Sequence, residues 1–431
     1  MIDVLVIGAG LAGLQCARML TRAGREVRVV EAADEIGGRV RTEVVDGFRC
    51  DVGFQLLNPA YPDAKSQLDL GALDLHAFGR GIAVRRPEGV TVLALDGVMS
   101  ALRSPYLDVR QLTAFLRWVA PALGSVPRLL ASPDARLADS FDAVGFRGPL
   151  RDDVVERFLA GVLLETDGST SARFARLLVR SFALGTPALP AQGMSAIPHQ
   201  LAASIAPVEL GTRVTGLSRE GVAWVAQTSA GERAARTVVV ATDPVTAGSL
   251  TDVAAPTMKG VATWWYATPT APATHRYLMV DARRQVPLPE ELASEAGQRL
   301  QPLPEELVGG AGQRLEGPVV NTAVISNVAP SYAPAGRHLV QASALIADGV
   351  PSEEAVRAQL ASMYECTTDD WQLLTTHVIP DALPVMPPPL TVRTQIRFGD
   401  GLYVCGDHRD TASIQGALVS GRRTAEAILA V

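Results

Sequence analysis

The sequence predicts an α/β fold built on a parallel sheet, and three features of the first forty residues predict it. The apolar run Ile2–Ile7 is typical of a central parallel strand, which is buried on both faces. A glycine-rich turn, GAGLAG, occupies residues 8–13 and is followed by apolar residues at helical spacing. The run Val27–Val30 then indicates a second strand. Strand, turn, helix and strand in this order predict a β-α-β unit of the Rossmann type.

The glycine-rich turn has the spacing of a dinucleotide-binding loop. Gly8 permits the tight turn, Gly10 lets a pyrophosphate approach the backbone, and Gly13 lets the helix pack against the strand. The helix N-terminus would then direct free N–H groups and its positive dipole end at the phosphates. Glu31 ends the second strand, 18 positions after Gly13, where a carboxylate can accept hydrogen bonds from ribose hydroxyls. These residues predict a bound dinucleotide, either NAD or FAD, without a 2′-phosphate.

Length and composition restrict the class of protein. The 431 residues suggest about two to three domains, and a content of 48% apolar and 19% charged residues excludes a highly charged disordered chain. A net charge of −6 predicts no nucleic-acid partner, and no apolar run approaches the roughly 18 residues of a membrane-spanning helix. Four scattered cysteines without metal-type spacing predict reduced thiols, no metal site and a cytoplasmic location.

A second glycine pair and the C-terminal segment connect the chain to a known family. Gly37-Gly38-Arg39 follows Glu31 by six residues, and a strand near the C-terminus runs into Gly406-Asp407 before a helix with one buried face. Together with GAGLAGLQCARML and VRVVEAADEIGGRVRT, these motifs resemble the flavin-dependent amine oxidase and phytoene desaturase superfamily. In that superfamily the GGR element marks FAD, so the resemblance implies non-covalently bound FAD.

The resemblance also implies a set of cofactor residues. Backbone groups of Val214 would bond the adenine, Asp407 would bond ribityl or phosphate oxygens, and the C-terminal helix would aim its dipole at the flavin. Ser413 stands where the amine oxidases usually carry an aromatic residue of the amine-binding cage, which leaves C–C desaturation open as an alternative. The implied cofactor residues are Gly8, Gly10, Leu11, Ala12, Gly13, Glu31, Ala32, Gly37, Gly38, Arg39, Gly53, Phe54, Gln55, Val214, Ala241, Thr242, Gly406, Asp407, Ser413, Ile414 and Gln415.

Two domains are expected along the chain. A discontinuous, Rossmann-like FAD-binding domain (GR2 type), with a parallel sheet and a β-meander, would comprise residues 1–75, 190–256 and 395–431. An α+β substrate domain with a mixed sheet and helices would comprise residues 76–189 and 257–394. Meander turns are expected at Gly216, Gly221 and Gly231, and a loop at Pro380–Pro389. Residues 287–316 form a tandem repeat, which is either a surface insertion or a lid or dimer contact.

Three kinds of side chain are candidates for chemistry. Lys259 is either a solvated lysine before a strand or, by resemblance to several amine oxidases, a residue that holds a water near the flavin. His408 directly follows the Gly-Asp motif and is a candidate acid or base. Trp264 and Tyr266 share one strand face, where they either line a substrate pocket or pack in the core.

The function implied by the resemblance is that of an FAD-dependent oxidoreductase. A hydride from a C–N or C–C bond of a small, apolar or aromatic substrate would pass to flavin N5, and dioxygen or another acceptor would reoxidise the flavin. Two alternatives remain, a redox-neutral isomerase or mutase and a non-catalytic flavin-bound partner protein. A homodimer is compatible with the sequence.

Overall fold

The computed structural model describes residues 1–94, 105–106, 108–283 and 317–431, so the tandem repeat lies outside the described residues. Its strands are β1 (Ile2–Ile7), β2 (Val27–Val30), β3 (Thr42–Val45), β4 (Phe48–Asp51), β5 (Leu75–Ala77), β6 (Gly81–Arg86), β7 (Gly89–Ala94), β8 (Ala188–Pro190), β9 (Val214–Glu220), β10 (Ala223–Thr228), β11 (Arg233–Val240), β12 (Met258–Thr268), β13 (Leu278–Asp281), β14 (Val319–Val324), β15 (His338–Leu345), β16 (Gln372–Pro384), β17 (Arg397–Gly399) and β18 (Leu402–Val404). Its α-helices are α1 (Leu11–Arg22), α2 (Pro62–Gln67), α3 (Val109–Leu123), α4 (Val126–Ala131), α5 (Leu137–Ala143), α6 (Glu156–Leu163), α7 (Ala172–Leu184), α8 (Ala196–Ala202), α9 (Pro244–Leu250), α10 (Ile325–Val328), α11 (Glu353–Tyr364) and α12 (Ile414–Leu429). No helix in these ranges is both long and apolar enough to cross a membrane.

The first sheet is a parallel sheet with a meander at its side. Its order is β17-β18-β11-β1-β2, in which β18, β11, β1 and β2 run parallel, while β9, β10 and β11 form an antiparallel meander. The meander turns lie at Gly221 and Gly231, as predicted. The expected turn at Gly216 is wrong, because Gly216 lies inside β9 and pairs with Gln227 of β10.

The predicted β-α-β unit forms β1, α1 and β2, with both strands at the predicted bounds. Gly13 lies where α1 crosses the turn after β1. A Cβ built on Gly13 would lie 2.1 Å from the carbonyl oxygen of Gly8, far inside van der Waals contact. Only glycine therefore lets α1 lie this close to the strand.

The second sheet is mixed and has seven strands in the order β16-β12-β15-β14-β13-β6-β7. Only β13 and β6 run parallel; the other neighbours are antiparallel. One face packs against α11 through residues such as Val356 and Leu360. The opposite face joins the core of the first sheet through Trp265 and Leu339.

Two further predictions are decided by this second unit. The helices expected in the substrate domain include α3 to α7, which pack around an aromatic core that contains Trp118 and Phe141. The expected loop at Pro380–Pro389 is half wrong, because β16 continues to Pro384. Prolines are tolerated there because, among the described strands, β16 lies at the edge and its outer N–H groups have no ladder partner.

Candidate active site

A cavity of about 690 Å³ is lined by residues from both sheets. From the first sheet it takes residues that directly follow β1, β2, β11 and β18, which are the carboxyl ends of the parallel strands. Ligands of open α/β sheets bind at this edge. We call this part the nucleotide half and the part lined from the second sheet and the helices the substrate half.

The loop after β1 leaves room for a phosphate group. A Cβ built on Gly10 would meet no atom within 4 Å, and Gly10 is the N-cap of α1, which no side chain caps. Gly8 has a φ of +101°, which an L side chain rarely adopts. The open backbone and the uncapped helix end together form an anion cradle, as a dinucleotide requires.

Glu31 both fixes the glycine loop and faces the cavity. Its carboxylate accepts hydrogen bonds from the backbone N–H of Ala9 (2.7 Å) and of Ala33 (2.9 Å). Each carboxylate oxygen has a further lone pair, so Glu31 can still accept hydrogen bonds from ribose hydroxyls. The acceptor oxygens of Glu31 are thus compatible with a ribose, and the contact with FAD stays a prediction.

Arg39 and Asp407 join the two ends of the chain inside the nucleotide half. Arg39 Nη2 lies 2.7 Å from Asp407 Oδ1, and Nη1 donates to the carbonyl oxygen of Ala382 at 2.8 Å. Both side chains also line the cavity. Sequence reasoning assigned both residues to the cofactor but did not predict that they pair with each other.

All but two of the predicted cofactor residues line the cavity. The exceptions are Gly13, which acts in helix packing, and Gln415. Gln415 turns to α2, where its amide accepts from Asp63 N (3.0 Å) and donates to Asp63 Oδ1 (3.2 Å), so its expected cofactor contact is not supported. The lining residues are Gly8, Gly10, Leu11, Ala12, Glu31, Ala32, Gly37, Gly38, Arg39, Gly53, Phe54, Gln55, Val214, Ala241, Thr242, Gly406, Asp407, Ser413 and Ile414.

A buried carboxyl group holds the loop that carries Gly53, Phe54 and Gln55. Asp51 ends β4 and accepts hydrogen bonds from Thr42 Oγ1 (2.6 Å), Met194 N (3.0 Å) and the Tyr332 hydroxyl (3.0 Å). Burial raises the pKa of Asp51 to about 6, although these three donors act in the opposite direction. Asp51 does not line the cavity; it positions the loop that does.

Lys259 does not line the cavity, contrary to the catalytic hypothesis. Its ammonium group is paired with the Glu165 carboxylate and also donates to Leu163 O (3.0 Å) and Thr170 Oγ1 (3.2 Å). All three N–H donors of the lysine are therefore used within the protein. This pairing could not be predicted from a local pattern, because Glu165 lies 94 positions away.

His408 lies behind the nucleotide half and does not line it. Its side chain is 2% exposed, and neither ring nitrogen has a hydrogen-bond partner among the described residues. Burial lowers the pKa of His408 to about 4, although the neighbouring Asp407 acts in the opposite direction. His408 is thus neutral at pH 7 and is not placed to act as the predicted acid or base.

The expected substrate contacts of Trp264 and Tyr266 are wrong. Both side chains lie on the face of β12 that packs against α11, and the Tyr266 ring packs at a tilt against Trp371, with ring centroids 5.8 Å apart. The other face of β12 reaches the cavity, through Val261. The alternation of side chains along β12 predicts that Trp264 and Tyr266 share one face of the strand. Because both faces of β12 are buried, this alternation does not indicate which face a helix covers.

The substrate half is mainly apolar, and its residues come from many separate segments. Two aromatic pairs contribute to it, Phe54 with Phe78 (6.1 Å between centroids) and Phe158 with Phe182 (5.3 Å). Tyr61 adds a hydroxyl whose pKa is raised to about 12 by burial, so it remains protonated at neutral pH. Sequence reasoning missed most of this lining: Leu56, Tyr61, Phe78, Phe158, Val162, Leu164, Leu178, Phe182, Val261, Leu278, Asn321, Ser343, Ile379 and Leu383.

Charge is distributed unevenly over the cavity. The carboxylates that line it are Glu31, Asp243 and Asp407, which all follow strands of the first sheet. Within the described residues, the charged side chain that lines the cavity beside the second sheet is that of Arg80, which precedes β6. The described substrate half therefore offers no carboxylate to an ammonium group.

Comparison with known proteins agrees with this geometry. A model of the flavin-containing amine oxidoreductase family matches residues 11–429. Putrescine oxidase of Kocuria rosea is 33% identical over 151 residues, which cover 35% of this chain and 31% of that protein. Carotenoid 3,4-desaturase of Haloarcula japonica is 45% identical over 51 residues, which cover 12% of this chain and 10% of that protein. In sequence, the chain thus spans about a third or less of these relatives.

Solved structures show the same fold at low sequence identity. Cyclohexylamine oxidase of Brevibacterium oxydans superposes with a TM-score of 0.69 and 16% identity, covering 99% of this chain and 98% of that one. The predicted fold class and the predicted cofactor, FAD, are confirmed by the family match, and the glycine loops and Glu31 fit that cofactor. Because the family model matches nearly the whole chain, the chain belongs to the flavin-containing amine oxidoreductase family.

Proposed function

We propose that the protein oxidises a small, apolar or aromatic substrate, with hydride leaving a C–N or C–C bond that the substrate half holds against FAD. The observation that carries this proposal is one continuous cavity, in which a nucleotide half compatible with FAD continues into an apolar, aromatic half. When bound, FAD supplies the two-electron acceptor for the substrate hydride, and dioxygen or another acceptor regenerates it.

The protein contributes orientation and exclusion of water. The aromatic pairs around Phe78 and Phe182 surround a substrate body with apolar surface, which favours flat or cyclic hydrocarbon groups over extended polar chains. An apolar wall also disfavours a charged ammonium group, because no described carboxylate compensates its lost hydration. An amine would therefore bind in its neutral form, which keeps the nitrogen lone pair available as the hydride leaves.

This argument separates amine substrates by their charge. Cyclohexylamine or benzylamine becomes uncharged when its one ammonium group deprotonates, whereas putrescine carries a second ammonium group that must also deprotonate or find a buried carboxylate. We therefore infer that monoamines with an apolar body are better substrates than diamines. The family match favours an oxidoreductase over the redox-neutral and non-catalytic alternatives.

The test is anaerobic reduction of the FAD-bound protein by added amines, measured as the loss of visible flavin absorbance. We expect cyclohexylamine and benzylamine to bleach the flavin, air to restore it, and putrescine to react at least about tenfold more slowly at equal concentration. Bleaching by putrescine alone would contradict the charge argument. If no amine bleaches the bound flavin, the C–N assignment is wrong and apolar C–C substrates are the next to test.

Two matched variants locate the reaction in the cavity. Phe182→Ala removes an aromatic wall of the substrate half, and Phe115→Ala removes an aromatic residue that packs in the neighbouring helical core without lining the cavity. We expect Phe182→Ala to raise the amine concentration for half-maximal reduction rate at least about tenfold, and Phe115→Ala to change it little. Equal effects of the two substitutions would place the substrate elsewhere.

A further inference from the structure

A group of uncharged polar side chains lies on the inner face of the second sheet. Three central strands contribute to it: Thr263 from β12, Ser343 and Gln341 from β15, and Asn321 from β14. Thr263 and Asn321 are the cross-strand neighbours of Ser343 on its two sides, so the three form one row across the sheet. All four residues are at most 3% exposed.

This polar row borders the substrate half of the cavity. Asn321 and Ser343 line it beside Val261, whereas Thr263 and Gln341 lie behind them. Gln341 Nε2 donates to Ser343 Oγ at 2.5 Å, and Thr263 Oγ1 lies 3.4 Å from the same oxygen. These contacts hold the Ser343 hydroxyl in place at the wall of an otherwise apolar space.

The row has more hydrogen-bonding capacity than the described protein uses. Gln341 Oε1 is buried and has no partner among the described residues, and the same holds for Nε1 of Trp265, the cross-strand neighbour of Gln341. The side-chain amide of Asn321 contacts Gln341 through its oxygen, at 3.5 Å, while its Nδ2 has no acceptor among the described residues. Gln341 and Trp265 lie behind the wall, so of these three groups the Asn321 Nδ2 is the one that belongs to a residue lining the cavity, where a ligand or an ordered water can satisfy it.

The chemistry of the row defines what it can bind. Its side chains are amides and hydroxyls without formal charge, and the ammonium group of Lys259, near the start of β12, is already neutralised by Glu165. An amide N–H and a serine hydroxyl can donate to an oxygen acceptor, and a neutral oxygen is far less costly to bury than a carboxylate. Pockets of this kind use a few fixed polar groups to orient an apolar ligand.

We propose that Asn321 and Ser343 form a subsite that binds an uncharged oxygen of the substrate, a carbonyl or a hydroxyl, and thereby sets which end of an apolar substrate faces the flavin. This inference rests on the proposed function, because it assumes that the substrate occupies the apolar half of the cavity. Gln341 and Thr263 are positioning residues, since they act on the ligand only through Ser343.

The test compares two probes of nearly the same shape, acetophenone and α-methylstyrene. Acetophenone has a carbonyl oxygen at the position where α-methylstyrene has a methylene group. Dissociation constants are measured with FAD-bound protein, from the change in the flavin absorption spectrum. Neither probe is an amine, so the measurement does not require turnover. We expect acetophenone to bind at least about tenfold more tightly.

Asn321→Leu and Ser343→Ala should each remove most of this preference, by weakening acetophenone about tenfold while changing α-methylstyrene less than about twofold. Ser326→Ala is the matched control, because Ser326 is a nearly buried serine of the same unit that bonds His338 and Leu339 and does not line the cavity. It should leave both dissociation constants unchanged. FAD content of each variant is measured alongside, as a check on folding.

Three results would overturn the subsite. These are equal affinity for the two probes, no binding of acetophenone up to its solubility, and a preference that survives both substitutions. The last result would show that a group other than Asn321 and Ser343 binds the carbonyl oxygen. A preference that depends on Asn321 and Ser343, in a protein whose flavin no amine reduces, would instead support the subsite and refute C–N oxidation.

Discussion

Two glycines three positions apart should respond to the same substitution in opposite ways. Gly10 faces open space, whereas a Cβ on Gly13 would lie 2.1 Å from Gly8 O and 3.0 Å from Ala241 Cβ. A carbon normally approaches an oxygen to about 3.3 Å, so Gly13→Ala requires a backbone displacement of roughly 1 Å. We expect it to lower the free energy of unfolding by about 2 kcal/mol or more, even after the higher helix propensity of alanine is included.

Gly10→Ala should leave the protein almost as stable and damage only cofactor binding. Gly10 has a φ of −73°, which alanine adopts freely, and alanine instead of glycine at an N-cap costs about 1 kcal/mol or less. Its methyl group would occupy the space through which a phosphate approaches the loop, so we expect FAD affinity to fall at least about tenfold.

Urea unfolding of the apoprotein and titration with FAD, followed by quenching of flavin fluorescence, measure the two effects separately. The reasoning is refuted if Gly10→Ala binds FAD as the wild type does. It is also refuted if Gly13→Ala unfolds at the wild-type urea concentration, because the close approach of α1 would then not be required.

Three further predictions concern side chains around the cavity. The pKa of Asp51 in the folded protein, about 6, is above its usual value of about 4, so its favourable contribution is complete below pH 4 and is lost as the pH rises through 6. Asp51→Asn should therefore increase the free energy of unfolding by about 2–3 kcal/mol at pH 8 but not at pH 4. Urea unfolding at both pH values measures this difference, and a loss of stability at pH 8 would contradict the prediction. Lys259→Met leaves the Glu165 carboxylate unpaired and should lower the free energy of unfolding by about 2–4 kcal/mol, with partial recovery when Glu165→Gln is added. The rate of flavin reduction should stay within about threefold of the wild-type rate, and a larger loss of rate would restore a catalytic role for the lysine. Gln415→Ala should leave the FAD dissociation constant unchanged and lower the free energy of unfolding by about 1 kcal/mol, because the hydrogen bonds to α2 are lost. Weaker FAD binding by this variant would show that the Gln415 amide contacts the cofactor.

The nucleotide half could be predicted because its residues occur in short local motifs. Each motif follows a strand, and parallel strands bring their carboxyl ends to one edge, so a pattern such as GAGLAG specifies both conformation and position. The pairing of Arg39 with Asp407 could not be predicted in the same way, since each residue has an independent reason to lie near a phosphate.

The substrate half could not be predicted, because no local pattern marks it. Phe54, Phe158 and Ile379 are ordinary apolar residues that reach one cavity only through tertiary packing. Trp264 and Tyr266 were predicted to line the substrate pocket because aromatic residues are scarce in this chain. In a sheet that is buried on both faces, however, the sequence does not indicate which face packs against a helix. Lys259 was misplaced for a related reason, since its partner belongs to a distant helical segment.

The order of strands in the first sheet also constrains how the protein is made. The sheet places β18, near the end of the chain, beside β11, which in turn pairs with β1 at the beginning. During synthesis the first β-α-β unit is made long before Gly406 and Asp407, so the wall that these two residues supply is absent when that unit emerges. We therefore expect FAD to load only after β18 has paired with β11, and contacts this distant in sequence slow the folding of the site. Excess FAD in the growth medium or refolding buffer should raise the yield of folded protein by capturing the site once it closes.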